Sequence, residues 1–270
     1  MTDVMVSGPR IHGKGRGKVI HYSRRAVNVE FAGRVVTIMN RNGTVTPSGV
    51  VLDVPFIEMP SECTLEGKAF HSDGICFTIR NVMDMHIGAS STLDIRSALN
   101  VLLPFAFPLR GSVMSALLRQ PGSGTVQALS SLENAVFDDE VAVLERGGDY
   151  GTVASGMLGK GFGLTPSGDD FVVGMIAILR LIGRSTGGMA EAVAAHGDTF
   201  SRTMLTDALD GFYSLPLLAL LKSLLSGTAS GREVGQLLST GHTSGHDTLA
   251  GMLYVLGREA GRSLHAPSPP

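Results

Sequence analysis

Up to Asp94 the chain is a series of short runs rich in Val and Ile, broken by turn residues. Beyond it, longer apolar stretches take over. This change of texture constrains the fold more than any other feature. Short segments with a period near two build sheet, and apolar residues recurring every three or four build helices. Lys18–Tyr22, Ala26–Phe31 and Arg34–Met39 read as strands, and Val50–Val54 and Gly74–Ile79 continue the pattern. Ala32–Gly33 and Asn42–Gly43 sit where hairpin turns belong. An Asn-Gly pair suits a type I′ turn, whose two central positions need positive φ. Regularly spaced short strands predict a small barrel or sandwich.

The second part predicts helices over Ser112–Arg119, Gln127–Arg146 (ended by Gly147–Gly148), Asp169–Ile182, Met189–His196, Ser201–Leu209, Leu215–Leu225, Arg232–Leu238 and His246–Gly261. Asp169–Ile182 is apolar on nearly every face, which means burial on all sides. His246–Gly261 instead shows a stripe of Leu249, Met252, Leu253, Leu256 and Ala260. The expected class is α+β: a β-rich N-terminal domain, 1–92, as a barrel or sandwich, packed on an all-helical domain, 93–265. A Pro-rich tail, 266–270, is expected to be disordered.

The composition, 43% hydrophobic and 17% charged, is enough for a sizeable core. A net charge of -2 gives no bulk attraction to nucleic acid or membrane, and neither is expected as a partner. The basic run Arg10 to Lys18, with Gly13, Gly15 and Gly17 inside it, reads as a mobile solvated arm or as a loop that meets an anion. Phe171–Leu179 and Leu215–Leu221 are closed by Arg180 and Lys222, far short of the roughly 20 residues a membrane span needs. Two cysteines, Cys63 and Cys76, suit a reducing compartment, and the N-terminus lacks an apolar signal core. The cytoplasm is the expected location.

Chemistry concentrates in two motifs, each opening an apolar helix. The first runs from Gly161 through Gly163, Thr165, Ser167 and Gly168 to Asp169 and Asp170. The second is Gly241-His-Thr-Ser-Gly-His-Asp247. Both contain Ser-Gly-X-Asp, with Ser167 and Ser244 at the expected N-cap and Asp170 and Asp247 at the third helical position, as in a capping box. Capping alone requires neither the upstream glycines nor Asp169, His242, Thr243 and His246. A Gly-rich loop feeding a helix start is suited to an anion, because the first amides lack internal partners and carry partial positive charge. Asp169, Asp170, His242 and Asp247 are the candidate catalytic groups. Gly161, Gly163, Thr165, Ser167, Gly168, Thr243, Ser244 and Gly245 are the candidate substrate-binding set. Arg202 joins them as a bidentate clamp for carboxylate or phosphate. His71 and Cys76 lack partners at metal-ligand spacing, so no zinc site is expected.

The string Gly161-Phe-Gly-Leu-Thr-Pro-Ser-Gly-Asp-Asp170, together with Gly241-His-Thr-Ser-Gly-His-Asp247, resembles a bacterial family that includes one of the three subunits of oxamate carbamoyltransferase, a catabolic enzyme of anaerobic allantoin breakdown. Arg25-Ala-Val-Asn28 is similar to the family's opening. Thr199 to Pro216, with Ser201, Leu205, Ala208 and Gly211, is similar to its central helical segment. The resemblance implies transfer of a carbamoyl group from carbamoyl phosphate to oxamate or a related small amido or ureido acid, with other subunits as partners. Such a site needs donors for the developing oxyanion, positive potential for phosphate and a proton acceptor for nitrogen. Strong positive charge is missing from both motifs apart from Lys160. Two alternatives stay open. One is an ATP- or phosphate-dependent enzyme with Mg²⁺ on Asp169 or Asp170. The other is a non-catalytic anion-binding or scaffolding subunit.

Overall fold

A computed structural model describes residues 2–60, 62–106, 148–161 and 163–261. The helices expected at Ser112–Arg119 and Gln127–Arg146, and the Pro-rich tail, lie outside these residues. The described chain falls into two compact units: Met1–Ile87 with Phe212–Leu218, and Gly88–Gly211 with Ala219–Pro270.

The first unit holds eight strands: β1 (Val4–Ser7), β2 (Gly15–Tyr22), β3 (Ala26–Phe31), β4 (Arg34–Met39), β5 (Gly49–Leu52), β6 (Cys63–Glu66), β7 (Ala69–Ser72) and β8 (Cys76–Thr78). They form one sheet in the order β1-β5-β4-β3-β2-β6-β7-β8. Every pairing is antiparallel except β4 with β5. The Thr2 amide donates to Cys76 O, and Ser7 exchanges backbone bonds with Asn81 and Met83. The two edges thereby approach each other and the sheet becomes a nearly closed barrel. Val27, Val29, Phe31, Ile38, Leu52, Leu65, Phe70 and Phe77 fill it. The Phe70 and Phe77 rings stack at 4.8 Å, and Phe31 meets Phe70 edge-on at 6.3 Å. Burying each large side chain of this kind contributes about 1.5–3 kcal/mol.

The basic run is not a mobile arm. Its second half begins β2, and Gly13 and Gly17 lie against the Phe31 side chain. A Cβ on Gly17 would stand 2.5 Å from Phe31 Cε1, and one on Gly13 would stand 2.7 Å from Phe31 Cβ. Ala32 and Gly33 turn β3 into β4 with φ of 47° and 82°, as a hairpin of the primed type requires. Asn42–Gly43 makes no hairpin. It lies between β4 and β5, which pair in parallel, and neither residue has positive φ. Strands β1, β6 and β7 are too short and too mixed in composition to be legible by alternation.

The second unit is helical: α1 (Ile95–Leu102, continued by a 3₁₀ turn, Leu103–Phe105), α2 (Tyr150–Met157), α3 (Ser167–Leu181), α4 (Gly187–Ala194), α5 (Thr199–Leu209), the later part of α6 (Leu215–Leu225), α7 (Gly231–Leu238) and α8 (Ser244–Glu259). The β-rich N-terminal part and helical C-terminal part match the expected α+β class. In α3 every residue but Arg180 is buried. The stripe expected on α8 understates it. From Thr248 to Gly257 every residue is buried, including Thr248, Ala250 and Tyr254 off the stripe. The reason is its position beside α3, at the centre of the helical unit, with α1 and α7 also packed against it.

Candidate functional site

Three glycines after α2 take backbone conformations that other residues rarely adopt: Gly159, Gly161 and Gly163 have φ of 75°, 100° and 114°. They fold the loop back over the start of α3, where a Cβ on Gly161 would lie 2.8 Å from the Ser167 amide nitrogen. Before α8, Gly241 does the same job with φ of 62° and would place a Cβ 3.1 Å from Ser244 Oγ. Gly168 and Gly245 are buried where a Cβ would run into the carbonyl oxygens of Met157 and Leu237, at the ends of the preceding helices. Their amides donate to Lys160 O (2.8 Å) and Thr240 O (3.1 Å). These two glycines thus serve close packing, and their amides are engaged within the loops.

The capping boxes expected of the two Ser-Gly-X-Asp strings do not form. Ser167 and Ser244 are already inside their helices. Pro166 and Thr243 hold the N-cap positions, and neither start has a side-chain cap. One position of shift frees the Ser244 hydroxyl for another contact. Its Oγ lies 3.2 Å from Thr165 Oγ1, so the two motifs meet directly.

Asp170 sits at that junction. It is 4% exposed, and the Ser244 and Thr165 hydroxyls hydrogen-bond its carboxyl. Burial pushes this carboxyl up to about 7. The two hydroxyls act in the opposite direction, and the nearby Asp169 charge adds to the rise. Asp170 Oδ2 has no hydrogen-bond partner among the described residues. The site therefore holds a buried acid, pushed up to about 7, with two hydroxyls on its carboxyl and a buried Oδ2 that is left without a hydrogen-bond partner.

Asp169 is fully buried, and its Oδ1 accepts from the Gly159 amide at 2.7 Å and from His196 Nε2 at 3.1 Å. The Asp198 amide donates to His196 Nδ1 at 3.1 Å. The proton must then be on Nε2, so His196 is a neutral imidazole with both nitrogens engaged. Arg202 completes the brace. Its Nη1 donates to His196 O at 2.7 Å, and its Nη2 lies 3.4 Å from Thr199 Oγ1. Asp169, His196 and Arg202 together tie the glycine loop to the start of α5.

Asp247 is fully buried and lies on α8 one turn after Ser244. His242 and Gly163 are exposed, and Thr165 and Thr243 are half-buried. Among the described residues no group of three or more His, Cys, Asp or Glu side chains is placed to hold a metal ion. Sequence reading missed His196, although its setting before Asp198, the N-cap of α5, was visible. It also missed that Asp169 faces inward; a second acid beside a helix start carries no sign of which way it points.

No helix among the described residues is long and apolar enough to cross a membrane. No solved structure matches the chain. Residues 157–256, the stretch that holds both motifs, match the family model described as oxamate carbamoyltransferase subunit AllH.

Proposed function

We propose that this chain is a subunit of a carbamoyltransferase-like enzyme acting on oxamate, or a related small amido or ureido acid, with carbamoyl phosphate. The family match supports the reaction class and the need for other subunits. The observation that carries the reading is Asp170, held between two helix starts and pushed up to about 7. In the transfer, the substrate nitrogen attacks the carbonyl carbon of carbamoyl phosphate. A C–N bond forms, the C–O bond to phosphorus breaks, and inorganic phosphate leaves with the bonding pair. The nitrogen gives up a proton, and Asp170 Oδ2 is the acceptor. A carboxylate with this affinity for a proton takes one up near neutral pH and returns it without a large mismatch. The Thr165 and Ser244 hydroxyls hydrogen-bond the carboxyl and hold it at the junction of the two motifs.

Lys160, exposed in the glycine loop, or a basic group of another subunit would balance the phosphate charge. A role in allantoin breakdown in the cytoplasm follows from the same reading. The test is to purify the chain with the subunits it assembles with and to follow phosphate release from carbamoyl phosphate in the presence of oxamate and related amido and ureido acids. Acceptor-dependent release is expected. A complex that releases no phosphate with any of them, and whose melting temperature neither carbamoyl phosphate nor phosphate raises, overturns the reading.

A further inference from the structure

Outside the two motifs, the barrel brings a nucleophile to a base. Cys76 on β8 holds its Sγ 3.2 Å from Nδ1 of His71 on β7. The sheet register makes this pair. β7 and β8 run antiparallel with His71 opposite Cys76, and side chains directly opposed across two strands share a face. The row continues to Thr64 on β6 and to Arg16 on β2. Its neighbours Leu65, Phe70 and Phe77, one position away on their strands, fill the core, so the row lies on the outer face. Arg16 and His71 are exposed, and Thr64 and Cys76 are half-buried. Arg16 pairs with no carboxylate among the described residues. It stands three strand spacings from Cys76, roughly 14 Å. A small group attached at sulfur, met by a long arginine side chain, spans that distance. The second cysteine provides a contrast. Cys63 is buried in the core, and burial pushes its thiol up to about 11, which makes it inert.

We propose that Cys76 and His71 form a thiol-modification site that takes a small disulfide bearing a carboxylate, with Arg16 receiving the carboxylate. His71 Nδ1 accepts the thiol proton, and the resulting thiolate attacks one sulfur of the disulfide. A bond forms between Cys76 Sγ and that sulfur, and the S–S bond of the disulfide breaks. The departing sulfur leaves with the electron pair and takes the proton from His71. Cys76 is oxidised to a mixed disulfide, and half of the small disulfide is reduced to a thiol. This chemistry uses residues of the barrel unit alone and needs neither Asp170 nor carbamoyl transfer.

The test is reaction of the full chain at pH 7 with dithiobis(nitrobenzoate), whose two halves each carry a carboxylate, and with neutral bis(hydroxyethyl) disulfide. The rate is read from adduct formation by intact mass, and the modified residue from peptide mass. Cys76 is expected to react about tenfold or more faster in the folded chain than in the urea-unfolded chain, while Cys63 reacts only on unfolding. Cys76→Ser should remove the fast reaction. His71→Gln, at an exposed position, keeps a polar side chain but cannot take the proton, and should slow both reagents about tenfold. Arg16→Gln should slow the carboxylate reagent and leave the neutral one unchanged. A folded chain whose Cys76 reacts no faster than the unfolded one overturns the proposal, and that comparison needs no variant. So does a His71→Gln chain that reacts like the parent. Arg16→Gln slowing both reagents alike, or neither, overturns the carboxylate-bearing class.

Discussion

Buried Asp170 and half-buried His196 both stand beside the glycine loop, and their hydrogen bonds give them opposite duties. Asp170 Oδ2 has no hydrogen-bond partner among the described residues; His196 has both nitrogens engaged. The folded chain holds the Asp170 proton up to about pH 7, while an unfolded aspartate releases it near 3.8. Within that window the folded state binds more protons, so this group's contribution is fully present below about pH 4 and is lost as pH rises through 7. At about 1.4 kcal/mol per pKa unit the effect is on the order of a few kcal/mol. Asp170→Asn cannot ionise and keeps an acceptor for Thr165 and Ser244. Its urea midpoint, compared with the parent's, should improve from pH 5 to pH 8; a constant difference would contradict the buried-acid account. His196→Ala leaves Asp169 and the Asp198 amide each short of a partner. It should cost about 1–3 kcal/mol in denaturation measurements at pH 7, and a change below about 0.5 kcal/mol would remove His196 from the brace.

At the scale of elements, α3 and α8 were legible as helices from their apolar runs, and their starts from Ser-Gly-X-Asp. What the sequence could not show was their closeness. Spacing along a chain says nothing of which two helices touch, so the close approach at Gly174 and Gly251, where a Cβ would run into Thr248 O and Phe171 O, was not legible. The capping reading failed by one position, because Pro166 and Thr243 took the N-cap. Gly174→Ala and Gly251→Ala should each destabilise the chain by about 1–3 kcal/mol or more, since the obstructing atoms are backbone carbonyls that no rotamer change can move. A control at Gly235, where a Cβ meets nothing within 4 Å, should be neutral or stabilising, because alanine favours helix. Equal effects at all three positions, read as shifts in thermal midpoint, would contradict the close crossing of α3 and α8.

At the scale of the molecule, the change of texture near Asp94 foretold a β-rich part followed by a helical one. The barrel's closure was not foretold, because it depends on single backbone bonds at Thr2 and Ser7. The family match is confined to the helical stretch that carries both motifs, which focuses the functional question on Asp170. The most direct measurement is the initial rate of phosphate release from carbamoyl phosphate and oxamate by the assembled complex, for the parent and for Asp170→Asn, between pH 5.5 and 8.5. Loss of a general base typically costs a hundredfold or more. The account predicts a loss of that size. In the parent, the rate should rise with pH through an inflection near 7 that the variant lacks. A variant with the parent's rate and the parent's pH profile would contradict Asp170 as the proton acceptor.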